Sequence, residues 1–518
     1  MRGPSGRLLF LAGVLLLSAA RVRLPGRALA AEGGAGPGAG RGGLPMRVAA
    51  EGGTIDEERQ RQAELATRLL AALPARALDA PVRLELNREE IRGVVRPGRP
   101  REEPLRIGVV KSLSARLDID GLATPRRGAG GPTKDGGYEW AVAVVSSAAG
   151  AMRFHIEGLE LPPGTELFLF SRAGEAFGPY TDNGPNDDGE FWTDTLFGGE
   201  AILQVHVPAP ATADDVAQVS FLVSEAGLVL PRFAGPGTDA VASVARPPAG
   251  RGESAAGEST AGIALQAPSG PFPCGSPECL VDATCPGTVS AAALARNAVA
   301  KMEWPRGQFL YTCSGALIND ANPDRDNLFL TAAHCLDRNR LALNVQFYWR
   351  FATSSCNGRC PANEGWPFRT AGATVVATGR RGDFTLLQLR TPPPAGSVFL
   401  GWNADPVAGS DGLPLYRISN PDFGPQVYSR HDVDAEAPMC AGWPRGFFIY
   451  SHDIVGAIDG GSSGSPLFNT QAQIVGQLSG SCGSEVSDVC SSGPGESNST
   501  VDGAFAAYFP RLQAVLAP

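Results

Sequence analysis

Lysine is almost missing from this chain of 518 residues: Lys111, Lys134 and Lys301 are its only lysines, and arginine carries nearly all of the positive charge. Acidic residues outnumber basic ones, 53 against 44, and with a net charge of −9 nothing suggests the basic footprint of a nucleic-acid partner. No run of roughly 18 apolar residues follows the N-terminal region, so no later segment reads as a membrane-spanning helix. No cysteine precedes Cys274, and the five histidines include no pair that would complete a zinc site with the cysteines. What is present, 43% apolar and 19% charged residues, suits ordinary globular cores, and the length suggests roughly two to four domains.

The N-terminus reads as an export signal over residues 1–30. Arg2 and Arg7 lead into an apolar core from Leu8 to Leu17, and small residues for cleavage follow at Ser18-Ala19-Ala20 or Ala28-Leu29-Ala30. The expectation is a secreted, extracellular protein with no stable membrane association. Ten cysteines confined to the C-terminal half of an exported chain point to disulfide bonds. Cys274/Cys279 and Cys356/Cys360 are too widely spaced for a Cys-x-x-Cys site, so no metal is expected.

Composition divides the rest. Residues 31–80 read as a flexible segment and a short helix, with Leu65, Leu69, Leu70 and Leu73 at helical spacing. Residues 234–271 are rich in Gly, Ala, Pro and Ser and read as a linker. Between them, residues 81–233 carry alternating stretches such as "MRFHIEG" and "ILQVHVP" with turn signals at Pro162-Pro163-Gly164 and Asp188-Gly189, the pattern of a β-sandwich-like propeptide or accessory domain. His155 and His206 fall on outward strand positions there and read as surface residues. "TDNGPNDDGEFWTD" gathers oxygen donors of the kind calcium prefers, at residues 182–190, but its spacing fits a plain turn.

The chemistry lies in residues 272–518. "FLTAAHCLD" places His334 at the end of an apolar run, "GDFTLLQLR" places Asp383 at the head of one, and "DGGSSGSPL" forms a turn able to hold a serine hydroxyl exposed. A serine is a weak nucleophile unless an adjacent base takes its proton and preorganised N–H groups receive the oxyanion. Gly460-Gly461-Ser462-Ser463-Gly464 formally matches the Gly-x-Ser-x-Gly elbow of α/β-hydrolases, but that plan needs a histidine after the serine, and none follows His452. The order His, Asp, Ser is present instead.

"CSGALI" (313–318), "LTAAHC" (330–335), "DFTLLQL" (383–389) and "GSSGSP" (461–466), in that order, resemble the trypsin-like serine proteases of chymotrypsin fold. "CLVDATCP" (279–286), "YWRFATSSC" (348–356) and "IVGQLSG" (474–480) resemble their bacterial branch around lysyl endopeptidases. The resemblance implies a mostly β chain with a double β-barrel over 272–518, and a serine endopeptidase that acts on proteins or peptides as a monomer without a cofactor. It implies Ser463 as nucleophile, His334 as general base and acid, Asp383 as its orienting partner, and the N–H groups of Gly461 and Ser463 as oxyanion hole. A segment near Leu478, Ser479 and Gly480 would receive the substrate main chain as an added strand. Cys313–Cys335, Cys279–Cys482 and Cys285–Cys356 resemble the branch's bridges; Cys440–Cys490 and Cys274–Cys360 are conjectured pairs without a counterpart there.

Departures concern specificity and activation. Six residues before Ser463, where trypsin has an aspartate, stands Ala457; three before Gly503, where lysyl endopeptidases have theirs, stands Thr500. Asp459 and Asp502 are the remaining candidates for a pocket carboxylate, which inclines the reading to cleavage after basic residues, with a neutral pocket as runner-up. Ser462 replaces the aspartate that pairs with a new N-terminus in trypsin, so activation would mean removal of the N-terminal half, with Arg232-Phe233 or Arg251-Gly252 as sites. Two rival functions remain: a catalytically inactive homologue acting as a binding protein, and an adhesive or carbohydrate-binding role for the N-terminal sandwich.

Overall fold

Alternating apolar residues become strands through most of the chain, and each strand's register decides what it buries. The computed structural model describes residues 43–49, 53–95, 103–113, 117–122, 125–234, 277–285, 290–321, 327–358 and 367–517. Among them the N-terminal part is a two-sheet sandwich. One sheet runs in the order Val82–Arg83, Tyr138–Val145, Glu200–Val207, Glu166–Phe170, Ala176–Tyr180. The other pairs Ala151–Glu160 with Ser220–Val229 and then Leu105–Ser112. Trp140, Phe154, Ile156, Leu203, Val205 and Phe221 fill the space between.

Strand Glu200–Val207 shows why it is apolar on both faces. Leu203 and Val205 point into the sandwich, whereas Ile202 faces Phe168, Phe170 and Leu69 under an outer helix. That helix, Ile55–Ala72, starts at a capping box in which Thr54 and Glu57 exchange side-chain to backbone bonds, satisfying amides the first turn leaves open. It lies where helical spacing was expected, and it is a packed outer layer of the sandwich. His155 also departs from expectation: Trp192 pairs opposite it and stacks on its ring at 5.1 Å, leaving it 9% exposed. His206 is half-buried, with Nδ1 2.7 Å from Glu139. The acidic stretch folds as a turn in which Asn186 donates to the Glu190 carbonyl and Asp188 accepts from the Glu190 N–H.

Two β-barrels follow. In the first, Val299–Arg306, Phe309–Leu317, Leu328–Ala332, Phe384–Leu389 and Ala373–Gly379 are paired on one side, and Gln346–Trp349 and Phe368–Ala371 extend the other. Phe368–Ala371 and Ala373–Gly379 meet at Gly372, whose φ of 77° makes the corner. The second barrel runs Val427–Val433, Pro414–Ser419, Pro466–Phe468, Gln473–Gly483, Asn498–Ala504, Phe448–Val455, and closes by pairing the last strand with the first. The chain is thus mostly β, a chymotrypsin-like double barrel preceded by a β-sandwich.

Sandwich and barrel share a sheet. Leu105–Ser112 pairs with Ser220–Val229 on one edge and with Phe309–Leu317 on the other. The seam between them buries charge: Glu175 of the sandwich and Arg369 of the barrel form an ion pair with both side chains fully buried. Glu303 receives the Thr195 hydroxyl at 3.1 Å, and Gln346 accepts from the Thr195 N–H and donates to Asp194, both at 2.7 Å. Arg232 lies in the short helix Pro231–Ala234 beside buried Phe233, so that bond is not presented as an extended cutting site; Arg251 lies outside the described residues.

Four disulfides lie among the described residues, and two of the expected pairings exchange partners. Cys285–Cys356 and Cys313–Cys335 form, but Cys279 joins Cys490 and Cys440 joins Cys482. The loop bearing Cys440 is tied down by its own N–H, which donates to the Tyr450 hydroxyl, and Tyr450 and Cys482 share one apolar cluster. Cys279 instead packs with Val489, beside Cys490. The conjectured pair Cys274–Cys360 lies outside the described residues.

Candidate active site

Strand register brings His334 and Asp383 together. Leu328–Ala332 and Phe384–Leu389 are antiparallel with Ala332 opposite Phe384, so the residues just beyond these ends meet. His334 Nδ1 lies 2.7 Å from Asp383 Oδ2, and the His334 N–H donates to Oδ1 at 2.9 Å. A carboxylate on Nδ1 holds the proton there and leaves the Nε2 lone pair outward. Asp383 takes a left-handed φ of 49°, a strained backbone that its surroundings hold. Gln477 does part of this by donating to the carbonyls of Gly382 and Asp383 at 2.8 and 2.9 Å. The Tyr508 hydroxyl in turn donates to Gln477, and burial raises the Tyr508 pKa well above the phenol value, keeping it a donor.

Cys313–Cys335 pins the residue after His334 to strand Phe309–Leu317. Cys313→Ala is expected to destabilise this half by about 2–5 kcal/mol; an unchanged denaturation midpoint would speak against that role.

The serine turn is built by its backbone. The Ser462 N–H donates to the Asp459 carbonyl, Gly464 to the Leu478 carbonyl, and Leu478 to the Ser465 carbonyl. On the opposite side the Ser314 N–H donates to the Ser463 carbonyl at 2.8 Å and its hydroxyl to the Gly461 carbonyl at 2.9 Å. The Asp422 N–H, in the 3-10 turn Pro421–Phe423, donates to the Gly460 carbonyl at 2.7 Å. Because that peptide is planar and trans, the Gly461 N–H points the other way. Neither Gly461 nor Ser463 donates its N–H to an acceptor among the described residues. Gly461 has φ 95°, and a Cβ there would stand 3.0 Å from the Asn420 carbonyl oxygen. Lys301, wholly buried, holds this turn by donating to the Phe423 carbonyl at 2.9 Å; burial drives its pKa well below the lysine value, with Glu303 opposing.

Ser463 is partly exposed and Ser462 fully buried, its hydroxyl accepting from Ser419. No hydrogen bond joins Ser463 to His334; the recorded neighbour of Nε2 is Cys335 Sγ, at 3.7 Å. Ser479 and Gly480 lie on Gln473–Gly483, where Gly480 pairs with Val501 and no strand among the described residues takes the other edge past Gln477.

The two carboxylates offered for a pocket fare differently. Asp502 is fully buried and its Oδ1 lies 2.7 Å from Arg417, also fully buried, so it is a core ion pair and not a pocket carboxylate. Asp459 is half-buried and its Oδ1 accepts from the Gly460 N–H at 2.7 Å. Arg417 and the turn around Asp422 escaped the sequence reading. The turn has a legible signal in "SNPDFG"; Arg417 has none.

Residues 275–491 match the family model "Lysyl endopeptidase, C-terminal domain". The chain is 32% identical over 219 residues to a lysyl endopeptidase of Pseudomonas aeruginosa, a match covering 40% of this chain and 45% of that protein, so it spans less than half of that relative's length. Among solved structures, the active form of the Rv3671c protease from M. tuberculosis matches at 21% identity and a TM-score of 0.28, over 45% of this chain and 88% of that one. An inactivated protease paralogue of the scabies mite matches at 13% identity and 0.30, over 43% and 95%. Likenesses at such scores carry no argument about function. Over residues 275–491 this chain resembles the lysyl-endopeptidase branch of the trypsin-like serine proteases.

Proposed function

We propose that the chain is a secreted serine endopeptidase, latent while the N-terminal sandwich stays in place. The observation that carries the endopeptidase reading is the His334–Asp383 pair at the end of a strand whose Thr331 and Ala332 pack against Gly464 of a serine turn with two undonated amides. In this reading Ser463 attacks the scissile carbonyl, and His334 takes its proton and returns it to the leaving amine. Asp383 orients the imidazole, and the Gly461 and Ser463 N–H groups receive the oxyanion. The substrate main chain adds to Leu478–Gly480. Four disulfides suit an oxidising compartment outside the cell. The test is mass spectrometry of new peptide ends from a denatured protein treated with the processed chain, freed of its N-terminal sandwich, with Ser463→Ala in the same form as control; equal cleavage by both would sink it.

Latency rests on strand Leu105–Ser112. Ser463 stands between Leu478, bonded to Gly464 and Ser465, and Ser314, bonded to Ser463 itself. A peptide laid along Leu478–Gly480 and crossing Ser463 continues toward Thr312, and Leu105 already pairs there. The Leu105 side chain stands 3.2 Å from where a Cβ on Gly460 would be. In this reading residues 81–233 act as a tethered cover that blocks the leaving-group side by strand addition. Leu105→Glu should loosen it, because a carboxylate there would be buried against the turn. The expected result is a faster initial rate on a peptide substrate than the unaltered full chain; an equal rate would mean that this strand is not the block.

A further inference from the structure

A buried polar network that peptide-bond cleavage does not use lies within the second barrel. His431, fully buried on Val427–Val433, has Nδ1 2.8 Å from Asp453 Oδ1 and Nε2 2.7 Å from the Ser429 hydroxyl. The Thr500 hydroxyl donates to the same Asp453 oxygen at 2.7 Å. Arg417 Nε stands 3.3 Å from His431 Nε2. A guanidinium can only donate, so Nε2 accepts, the ring proton sits on Nδ1, and the imidazole is neutral. Asp453 receives the His431 Nδ1 proton and the Thr500 hydroxyl on one oxygen. It is 8% exposed, and its second oxygen, Oδ2, is buried with no hydrogen-bond partner. A buried carboxylate oxygen in that condition is costly and calls for a donor such as a cation.

Its position says which cation. Thr500 pairs across to Ser481, the residue after Gly480 on the substrate edge. Ser429 lies against Gly456, its Cβ 3.3 Å from where a Gly456 Cβ would stand, and Ala457 comes next. Asp453 is thus linked, through Thr500 and through His431 and Ser429, to both stretches that flank Ser463. One leads from Ala457 into the nucleophile turn, and the other is bonded to that turn through Leu478. With Leu478–Gly480 read as the substrate edge, a substrate side chain would enter between these stretches, past Ala457, Ser479 and Gly480, none of which carries a bulky side chain. Arg417 already neutralises Asp502.

We propose that Asp453 is the specificity-determining carboxylate of the site, its Oδ2 receiving the ammonium or guanidinium of a lysine or arginine on the N-terminal side of the scissile bond. This rests on the reading of Ser463 as nucleophile, but binding of the cation does not need Ser463 to react. The probe is p-aminobenzamidine, titrated by fluorescence into the full chain, with n-butylammonium as competitor. Saturable binding is expected, unchanged in Ser463→Ala and Asp459→Asn and weakened on the order of ten- to a hundredfold in Asp453→Asn, the loss of one charge-assisted contact. Should Asp453→Asn fail to fold, Asp453→Glu keeps an acceptor for His431 and, by reaching further into the pocket, shifts preference from butyl- to propylammonium. No saturable binding, binding indifferent to Asp453→Asn, or an Asp453→Glu form with unshifted preference would overturn the proposal. A failed endopeptidase reading would appear instead as absent turnover by the processed form with Asp453-dependent binding intact.

Discussion

Ser463→Ala is expected to lower turnover by on the order of 10⁶-fold, and Asp383→Asn by about 10⁴-fold, each compared with the unaltered chain in the same processed form. The first removes the only atom able to form the acyl intermediate. The second acts through the tautomer. An asparagine presents either its amide NH₂ or its carbonyl to His334 Nδ1, and it has one oxygen where Asp383 has two, one accepting from the His334 N–H and one facing Nδ1. If the carbonyl keeps the main-chain bond, the NH₂ faces the ring, the proton moves to Nε2, and the lone pair that should take the serine proton is gone. Steady-state rates on one peptide substrate measure both. A full rate in Ser463→Ala would place the nucleophile elsewhere, and a full rate in Asp383→Asn would make that carboxylate a structural acceptor only.

The second large effect concerns the seam between sandwich and barrel. Glu175→Gln leaves the Arg369 guanidinium buried without its counter-charge, and breaking one side of a fully buried pair costs about 3–5 kcal/mol. Arg369 also lies over the rings of Phe177 and Phe197, at 4.6 and 5.3 Å, which gives an uncompensated charge no water to turn to. Glu175→Gln combined with Arg369→Met removes both charges and should recover most of the loss. Denaturant titration of the full chain reads both variants. A single substitution that leaves the midpoint in place would mean that the seam opens to solvent, and the tethered-cover reading would weaken with it.

His334, Asp383 and Ser463 were legible because each sits in a short segment whose residue types state a local backbone need: an apolar strand ending at a base, a carboxylate at a strand head, and glycines flanking an exposed serine. The Cys313–Cys335 and Cys285–Cys356 bridges were legible only through the resemblance to the bridges of trypsin-like proteases and lysyl endopeptidases. Cys279, Cys440, Cys482 and Cys490 were not, because their loops cross the second barrel along paths that spacing does not encode. Asp502 looked available because it lies one residue before a glycine; the partner that occupies it, Arg417, is 85 residues away. His155 looked exposed by strand alternation, and the short strand Phe191–Trp192 covers it.

By itself, then, the sequence determined the strand-rich character of the chain, through short-range periodicity and glycine and proline at turns, and pointed to three residues read as catalytic, through the order of their motifs and their resemblance to the trypsin-like proteases. The tertiary structure decided the partners: which cysteine meets which, that Arg417 neutralises Asp502 while Asp453 keeps a free oxygen, and that Leu105–Ser112 crosses from the sandwich to lie beside the serine turn. Those outcomes depend on register and burial between segments far apart in the chain. One residue of slip would turn each strand's side chains to the opposite face, and only the packed whole selects among the alternatives.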